Sequence, residues 1–313
     1  MMKPPLLVVA GPTGVGKTAT AVALAARIPL EIISADSRQV YRGMDLATGK
    51  PTAAERHAVP HHLIDIVNPD DRYHAARFRT DARAVISTIR ARGRLPVVVG
   101  GTGFYIRALL RGLDPAPPAD PEFRRELADL IVRDGRAALH ARLAGQAPAM
   151  AQRLHPNDHV RIVRALERLR ATGGMAVEEV LWRRSEREDD VLYVGLTLER
   201  TALANRLRRR AAAMVEAGLA MEVRRLLAAG YDPSLPAMQG IGYREFVGVV
   251  QGTLDEGRAL VLMQRDTVRY AKRQWTWFTR EPAIEWLDMA LAAGPEGAAA
   301  LIAERLRQRG LIT

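Results

Sequence analysis

The chain has 313 residues, enough to bury a large core and to form more than one domain. Its 48% hydrophobic and 26% charged residues are those of an ordinary globular protein, and no apolar run is as long as a membrane span. The absence of cysteine excludes a disulfide framework and a cysteine-based zinc site, while a formal charge of +11 points to a polyanionic partner. Lysine occurs only at positions 3, 17, 50 and 272 in a chain rich in arginine, which draws attention to Lys17, Lys50 and Lys272. Lys3 leads directly into an apolar run without a cleavage-site pattern, so the expected location is cytoplasmic, with no membrane partner.

Leu6 to Ala10 is a short apolar strand, followed by a glycine loop and a helix carrying Ala21, Leu24 and Ala25 on one face. Glu31 to Ser34 is a second buried strand ending at Asp36, and His62 to Val67 a third, weaker one. From Ala75 to Arg92, Phe78, Ala82, Val85, Ile86 and Ile89 recur at helical spacing, with Gly93 as the stop. Leu95 to Val99 is too apolar for an exposed edge strand. Alternating strands and helices predict an α/β fold: a parallel sheet core of the P-loop NTPase type, with helices on both faces.

Asp114-Pro115-Ala116-Pro117-Pro118 forms a proline-rich hinge, after which residues 120–187 read as helical and polar. That predicts an all-helical insertion domain over 114–189, set into a core of residues 1–113 and 190–313. The core resumes with a strand over Val191 to Leu198 and helices from Thr201 to Ala229, capped at Gly230. A long helix over about Leu254 to Thr279, a strand over Ile284 to Leu287 and a terminal helix complete the chain.

Gly11-Pro12-Thr13-Gly14-Val15-Gly16-Lys17-Thr18 fits the phosphate-loop pattern G-x-x-x-x-G-K-[ST] and lies between a strand and a helix, as the pattern requires. Its amides and the helix N-terminus would wrap a diphosphate, Lys17 would reach the terminal phosphate and Thr18 would ligate Mg²⁺. An ATPase usually ends a later strand in a carboxylate that helps hold the metal. Here Leu95 to Val99 runs into Gly100-Gly101-Thr102-Gly103, and the acid stands after the second strand, in Ser34-Ala35-Asp36-Ser37-Arg38-Gln39-Val40-Tyr41. A carboxylate beside two hydroxyl-bearing residues and an amide suits deprotonating a nucleophile, and it equally suits a helix cap or turn.

These blocks together resemble the bacterial tRNA dimethylallyltransferases, members of the IPP transferase family. The resemblance extends through Gly43-Met44-Asp45, Thr48-Gly49-Lys50-Pro51, Pro60-His61-His62-Leu63, His155-Pro156-Asn157-Asp158, Gly242-Tyr243-Arg244 and Lys272-Arg273-Gln274 with Thr276-Trp277, in order along nearly the whole chain. It implies transfer of a dimethylallyl group from dimethylallyl diphosphate to the adenosine immediately 3′ of the anticodon. By the same resemblance Asp36 is the general base and Thr102 its neighbour, residues 13–18 hold the diphosphate, and Mg²⁺ assists. Residues matching tRNA contacts are Asp36, Ser37, Arg38, Gln39, Thr102, Arg124, Val160, Arg161, Ile162, Val163, Arg164, Gln239, Gly242, Tyr243, Arg244, Lys272, Arg273 and Gln274. The implied partner is the tRNA anticodon stem-loop. The lack of cysteine fits the bacterial type, and with no evident dimer seam a monomer is expected.

Other features admit two readings. Arg206 and Arg210, at i and i+4, either reach the departing diphosphate together or lie on a solvated helix face. Trp275 and Trp277 either stack on bases or pack in the core, and core packing is the default for tryptophans in a long helix. Gln239 to Arg244 is either a glycine-permitted approach to a ligand or a tight interhelical turn. The pairs His61–His62 and His155–His159 lack companion ligands and read as structural. The competing activities are an adenylate isopentenyltransferase, a small-molecule kinase and a non-catalytic RNA-binding protein that retains a relict phosphate loop.

Overall fold

A computed structural model describes residues 3–113, 120–173 and 189–312. Six parallel strands form one sheet: β1 (Pro5–Ala10), β2 (Leu30–Ser34), β3 (His61–His62), β4 (Leu95–Gly100), β5 (Asp190–Thr197) and β6 (Glu285–Asp288). Their order is β3-β2-β4-β1-β5-β6, every neighbouring pair parallel. In β1, Leu6 and Val8 point to one face and Leu7 and Val9 to the other, and all four are fully buried. A strand buried on both faces must be covered on both sides, which is why its sequence is apolar throughout rather than alternating.

On one face α1 (Lys17–Ala25) and the terminal helix bury Ala21, Leu24, Ile302 and Leu306 against Leu7, Val9, Val97 and Leu192. Between the strands lie α2 (Ala53–Ala58), α3 (Ala75–Ala91) and α4 (Gly103–Arg111). Four more helices, α5 (Pro121–Asp134), α6 (Ala137–Gln146), α7 (Pro148–Arg153) and α8 (His159–Ala171), precede β5. After β5 come α9 (Arg200–Glu216), α10 (Leu219–Ala228), α11 (Tyr243–Val250) and α12 (Glu256–Phe278), then β6 and α13 (Pro295–Gln308). Asp255 caps α12 by accepting from the amides of Gly257 and Arg258, and Gly93 and Gly230 follow their helices at positive φ as stops.

The chain divides into two compact units, Met1–Arg111 with Glu186–Thr313, and Gly112–Ser185. The second is helical in its described part, with a core of Phe123, Leu127, Leu139, Leu143, Ile162, Leu166 and Leu169. The proline-rich hinge at 114–118 and the helical reading of 174–187 fall outside the described residues. The third strand is shorter than its sequence suggests. It ends at His62 because Leu63 and Asp65 take positive φ, 61° and 58°, turning the chain before Val67 pairs as a single bridge with Tyr41. Three helices escape the periodicity reading: α2, opened by a Thr52–Glu55 capping box, α4 and α11.

Candidate active site

In a parallel sheet the C-terminal ends of all strands lie at one edge, so β1, β2 and β4 deliver their following loops to the same place. The phosphate loop leaves β1 with Gly11, Gly14 and Gly16 at φ of 141°, 76° and 115°. Only glycine tolerates these values, and side chains would also collide: a methyl on Gly11 would meet the Leu196 carbonyl and one on Gly14 the Leu207 side chain. Lys17 folds back over the loop, its ammonium donating to the carbonyls of Gly11 at 2.9 Å and Pro12 at 2.8 Å. Burial pushes its pKa down to about 8, against the pull of nearby Asp36, and the Arg210 guanidinium lowers it further.

Asp36 follows β2. Its Oδ1 accepts from the amides of Arg38 (2.8 Å) and Gln39 (3.3 Å), and among the described residues its other oxygen has no hydrogen bond. One oxygen therefore serves the turn, and the other is left open. Thr102 follows β4 and is tied to the same turn: its amide donates to the Ala35 carbonyl, and its hydroxyl accepts from the Ser37 amide at 3.2 Å. Gly100 allows this, because a side chain there would strike the Ala35 carbonyl. Gln39 reaches the next loop, accepting from the Ser34 hydroxyl and donating to the carbonyls of Thr48 and Gly49. Arg38 donates to the carbonyls of Pro236 and Ala237.

The loop of residues 43–50 closes one side. Lys50, with 2% of its side chain exposed, donates to the Tyr41 carbonyl and pairs with Asp45 and Asp65. Glu222 accepts from the amides of Asp45 and Leu46 and from the Tyr243 hydroxyl. Arg210 of α9 donates to the Gly49 carbonyl at 3.3 Å, and a methyl on Gly49 would collide with that guanidinium. Burial and the charge of Arg206 hold the Arg210 pKa below the usual guanidinium range. Of the two arginines at i and i+4, Arg210 is drawn into the site and Arg206 is exposed. Beside Arg210 a small groove is lined by Thr13, Ala47, Thr48, Leu207, Met214, Met263 and Thr267. Two cations and the loop amides, next to a groove of mixed polar and apolar lining, suit an anionic group such as a diphosphate.

Tyr270 was not legible as a site residue. One turn before Gln274 on α12, it lies close to Thr102, Asp36, Arg38 and Arg273, and burial pushes its phenol up to about 12. Its only signal was its place in the Arg269–Gln274 segment. Trp277 packs, as the default reading has it: it lies against Gly103, with the Arg107 guanidinium 4.3 Å above its ring.

The residues expected to face RNA divide into two sets. In the helical unit, Val160 is 82% exposed and Arg161 is exposed, while Arg124 and Arg164 converge on the buried Glu167. Gln239, Arg244, Lys272 and Arg273 also keep exposed surface, with Gln239 donating to the Pro233 carbonyl and Arg244 paired with Glu245 and Asp266. Four of the expected residues present little or no exposed side chain. Ile162 belongs to the helical core, Gly242 packs on Ala47 and Met263 in an interhelical turn, Tyr243 is 1% exposed with its hydroxyl on Glu222, and Gln274 is 6% exposed between two loops. Their inward faces follow from helical spacing and from the Gly242 turn. Val163 is half-buried.

His62 binds Glu31 and His61 the Val59 carbonyl, and His155 accepts from the Asn157 amide. Among the described residues no three His, Asp or Glu side chains gather as metal ligands. A divalent ion at Thr18 would therefore take most of its ligands from a diphosphate and from water, a pattern that suits Mg²⁺. No described helix is long and apolar enough to cross a membrane.

Comparison with known proteins agrees with this geometry. Residues 39–281 match the model of the family described as IPP transferase, and residues 4–65 match that of isopentenyl transferase. The chain is 48% identical over 287 residues to tRNA dimethylallyltransferase 2 of Syntrophus aciditrophicus, covering 91% of this chain and 92% of that protein. It is 50% identical over 284 residues to the tRNA dimethylallyltransferase of Anaeromyxobacter dehalogenans, covering 90% and 94%. The crystal structure of a tRNA isopentenylpyrophosphate transferase from Bacillus halodurans superposes with a TM-score of 0.72 at 38% identity, covering 98% of each chain. A eukaryotic dimethylallyltransferase acting on tRNA superposes at 0.74 with 28% identity, covering 91% of this chain and 74% of that one. With a family match over most of its length and relatives near half identity end to end, the chain belongs to the IPP transferase family.

Proposed function

We propose that the chain is a prenyltransferase that moves a dimethylallyl group from dimethylallyl diphosphate to the exocyclic amine of the adenosine immediately 3′ of the anticodon in tRNA. The observation that carries this reading is the meeting of Asp36 with Lys17 at one edge of the sheet, near enough for the carboxylate to hold up the ammonium's charge. The relatives named above act on tRNA by name, and the +11 charge suits that polyanion.

An adenine amine is a weak nucleophile because its lone pair is delocalised into the ring. Its nitrogen bonds to the first carbon of the prenyl group, the bond from that carbon to the diphosphate oxygen breaks, and the amine proton passes to the open oxygen of Asp36. Lys17, Arg210 and the loop amides stabilise the charge left on the diphosphate. Mg²⁺, held by Thr18 and the diphosphate, would add Lewis-acid stabilisation of the same charge. Thr102, fixed by Ser37 and Ala35, sits where it can hydrogen-bond the base. The prenyl chain takes the part of the groove beside Arg210 that Leu207, Met214 and Met263 line. The adenosine must leave its stack, which is cheapest from a single-stranded loop, so the anticodon stem-loop is the target. The helical unit contributes Arg124, Val160, Arg161 and Arg164 to the stem, and the enzyme works as a cytoplasmic monomer.

The test is incubation of purified protein with labelled dimethylallyl diphosphate and unmodified tRNA, comparing wild type with Asp36→Ala. Transfer by the wild type should fall about 10² to 10⁴-fold in the variant, with tRNA binding retained. Transfer to free AMP but not tRNA would instead identify an adenylate prenyltransferase, and nucleoside triphosphate turnover without RNA a kinase.

A further inference from the structure

Gln274 lies on α12, away from both loops in sequence, and is almost fully buried. Its carboxamide touches each of them. Oε1 accepts from the Thr13 amide at 2.8 Å, and Nε2 donates to the Gly101 carbonyl at 2.9 Å. The orientation is fixed by chemistry, since the Thr13 N–H can only donate and the Gly101 carbonyl only accept. One amide of the phosphate loop is thus held by a side chain. Gly101 gives the room: a methyl there would collide with Nε2 and come within 3.4 Å of the Gly11 carbonyl. One turn on, Trp277 fills the space that a side chain on Gly103 would need.

Hydrogen bonds and the Gly101–Thr102 peptide link together connect the two loops. The path runs from Thr13 through Gln274 to Gly101, then from Thr102 to Ala35 and Ser37, and so to the Asp36 turn. The phosphate loop would hold the donor and the Asp36 turn the acceptor, so Gln274 is the joint between the two halves of the reaction. Reacting atoms must approach within about 3 to 3.5 Å in line, and a shift of about 1 Å costs roughly 100-fold in rate. We propose that Gln274 is a positioning residue that sets the distance between donor diphosphate and acceptor base, rather than a contact to the RNA. This rests on the function proposed above.

Gln274→Met keeps the size and removes both hydrogen bonds. It should lower kcat for transfer to tRNA roughly 10- to 100-fold, with KM for dimethylallyl diphosphate and for tRNA each within about threefold of wild type. A core substitution far from both loops, Ile89→Ala, should lower Tm with unchanged kcat. Gln274→Glu gives a second readout. As a neutral acid the side chain still donates to Gly101 and accepts from Thr13; as a carboxylate it can only accept, and it faces the Gly101 carbonyl. The kcat ratio of Gln274→Glu to wild type should therefore rise as pH falls. Lys17, Asp36, Arg210, Tyr270 and Arg273 surround the site in both proteins, so their titration largely cancels in that ratio. Wild-type kcat in Gln274→Met, or a loss carried by either KM, overturns the proposal. If Gln274→Met does not fold, a pH-independent ratio for Gln274→Glu overturns it. Absence of transfer by the wild type overturns this proposal and the functional one together, whereas wild-type transfer with unaffected variants overturns only this one.

Discussion

The two ends of the sheet treat buried charge in opposite ways. At the N-terminal end Asp189 is gripped by Arg83 and Arg90, and Glu31 by His62, Arg92 and Arg94. These carboxylates are nearly inaccessible and fully compensated. At the C-terminal end Lys17 and Arg210 are half-buried, and among the described residues their hydrogen bonds go to backbone carbonyls and to no carboxylate. Their lowered pKa values record that deficit. Desolvated cations with no carboxylate bonded to them cost stability, and a site that keeps them is prepared for an anion brought by a ligand.

If that contrast is right, mutations at the two ends should separate activity from stability. The largest effect belongs to Lys17→Ala, which should lower steady-state transfer about 10² to 10³-fold while leaving the melting temperature unchanged or raised. A fall in Tm alongside the loss would mean that Lys17 is structural. Next comes Asp189→Asn, expected to cost about 3 kcal/mol in urea denaturation because two part-buried guanidiniums lose their partner, with kcat for the remaining folded protein unaltered. Gly49→Ala should do less: its φ of 60° and the Arg210 guanidinium in its way predict about a tenfold rise in KM for the diphosphate donor. Retention of wild-type KM would place Arg210 outside the donor site.

The smallest effects are those of pH. Lys17 loses its proton as pH rises through about 8, so affinity of the free enzyme for the diphosphate should be about halved at pH 8 and fall further above it. Titration calorimetry from pH 6.5 to 9 reads this directly. The opposite end responds on the acid side. His62 and Arg92 hold the Glu31 pKa below its usual value although burial opposes them. Its contribution to stability is therefore complete above about pH 4.5 and lost as pH falls through the lower folded value, a limb that Glu31→Gln should remove from the acid-unfolding curve.

Much of the site was legible because its chemistry is local. The phosphate loop needs glycines at fixed places, and the acid after β2 and the threonine after β4 follow their strands directly. A parallel sheet carries all three to one edge without further instruction. Helix α12 shows where such reading stops. Arg269 to Trp277 signals a basic helix, yet which residues face the loops depends on its rotation about its own axis, which packing against α9 and α11 decides. Hence Gln274, expected at the RNA, is buried between two loops, and Tyr270, absent from the expected set, lies close to Thr102. Likewise 160–164 was read as a block, although helical geometry turns Ile162 into the core and leaves Val160 and Arg161 outside.

From its sequence alone the chain specifies a parallel α/β core, a glycine loop of the phosphate-loop pattern, an acid after the second strand and a helical segment before β5, because strand burial, glycine conformations and cap residues are written within a few positions of one another. Tertiary structure decided the rest: where β3 stops, that Arg210 rather than Arg206 enters the site, and that one glutamine from α12 joins the two catalytic loops. The last two are contacts between residues more than a hundred positions apart, and only the packing of α9 and α12 over the sheet edge brings them within hydrogen-bonding distance.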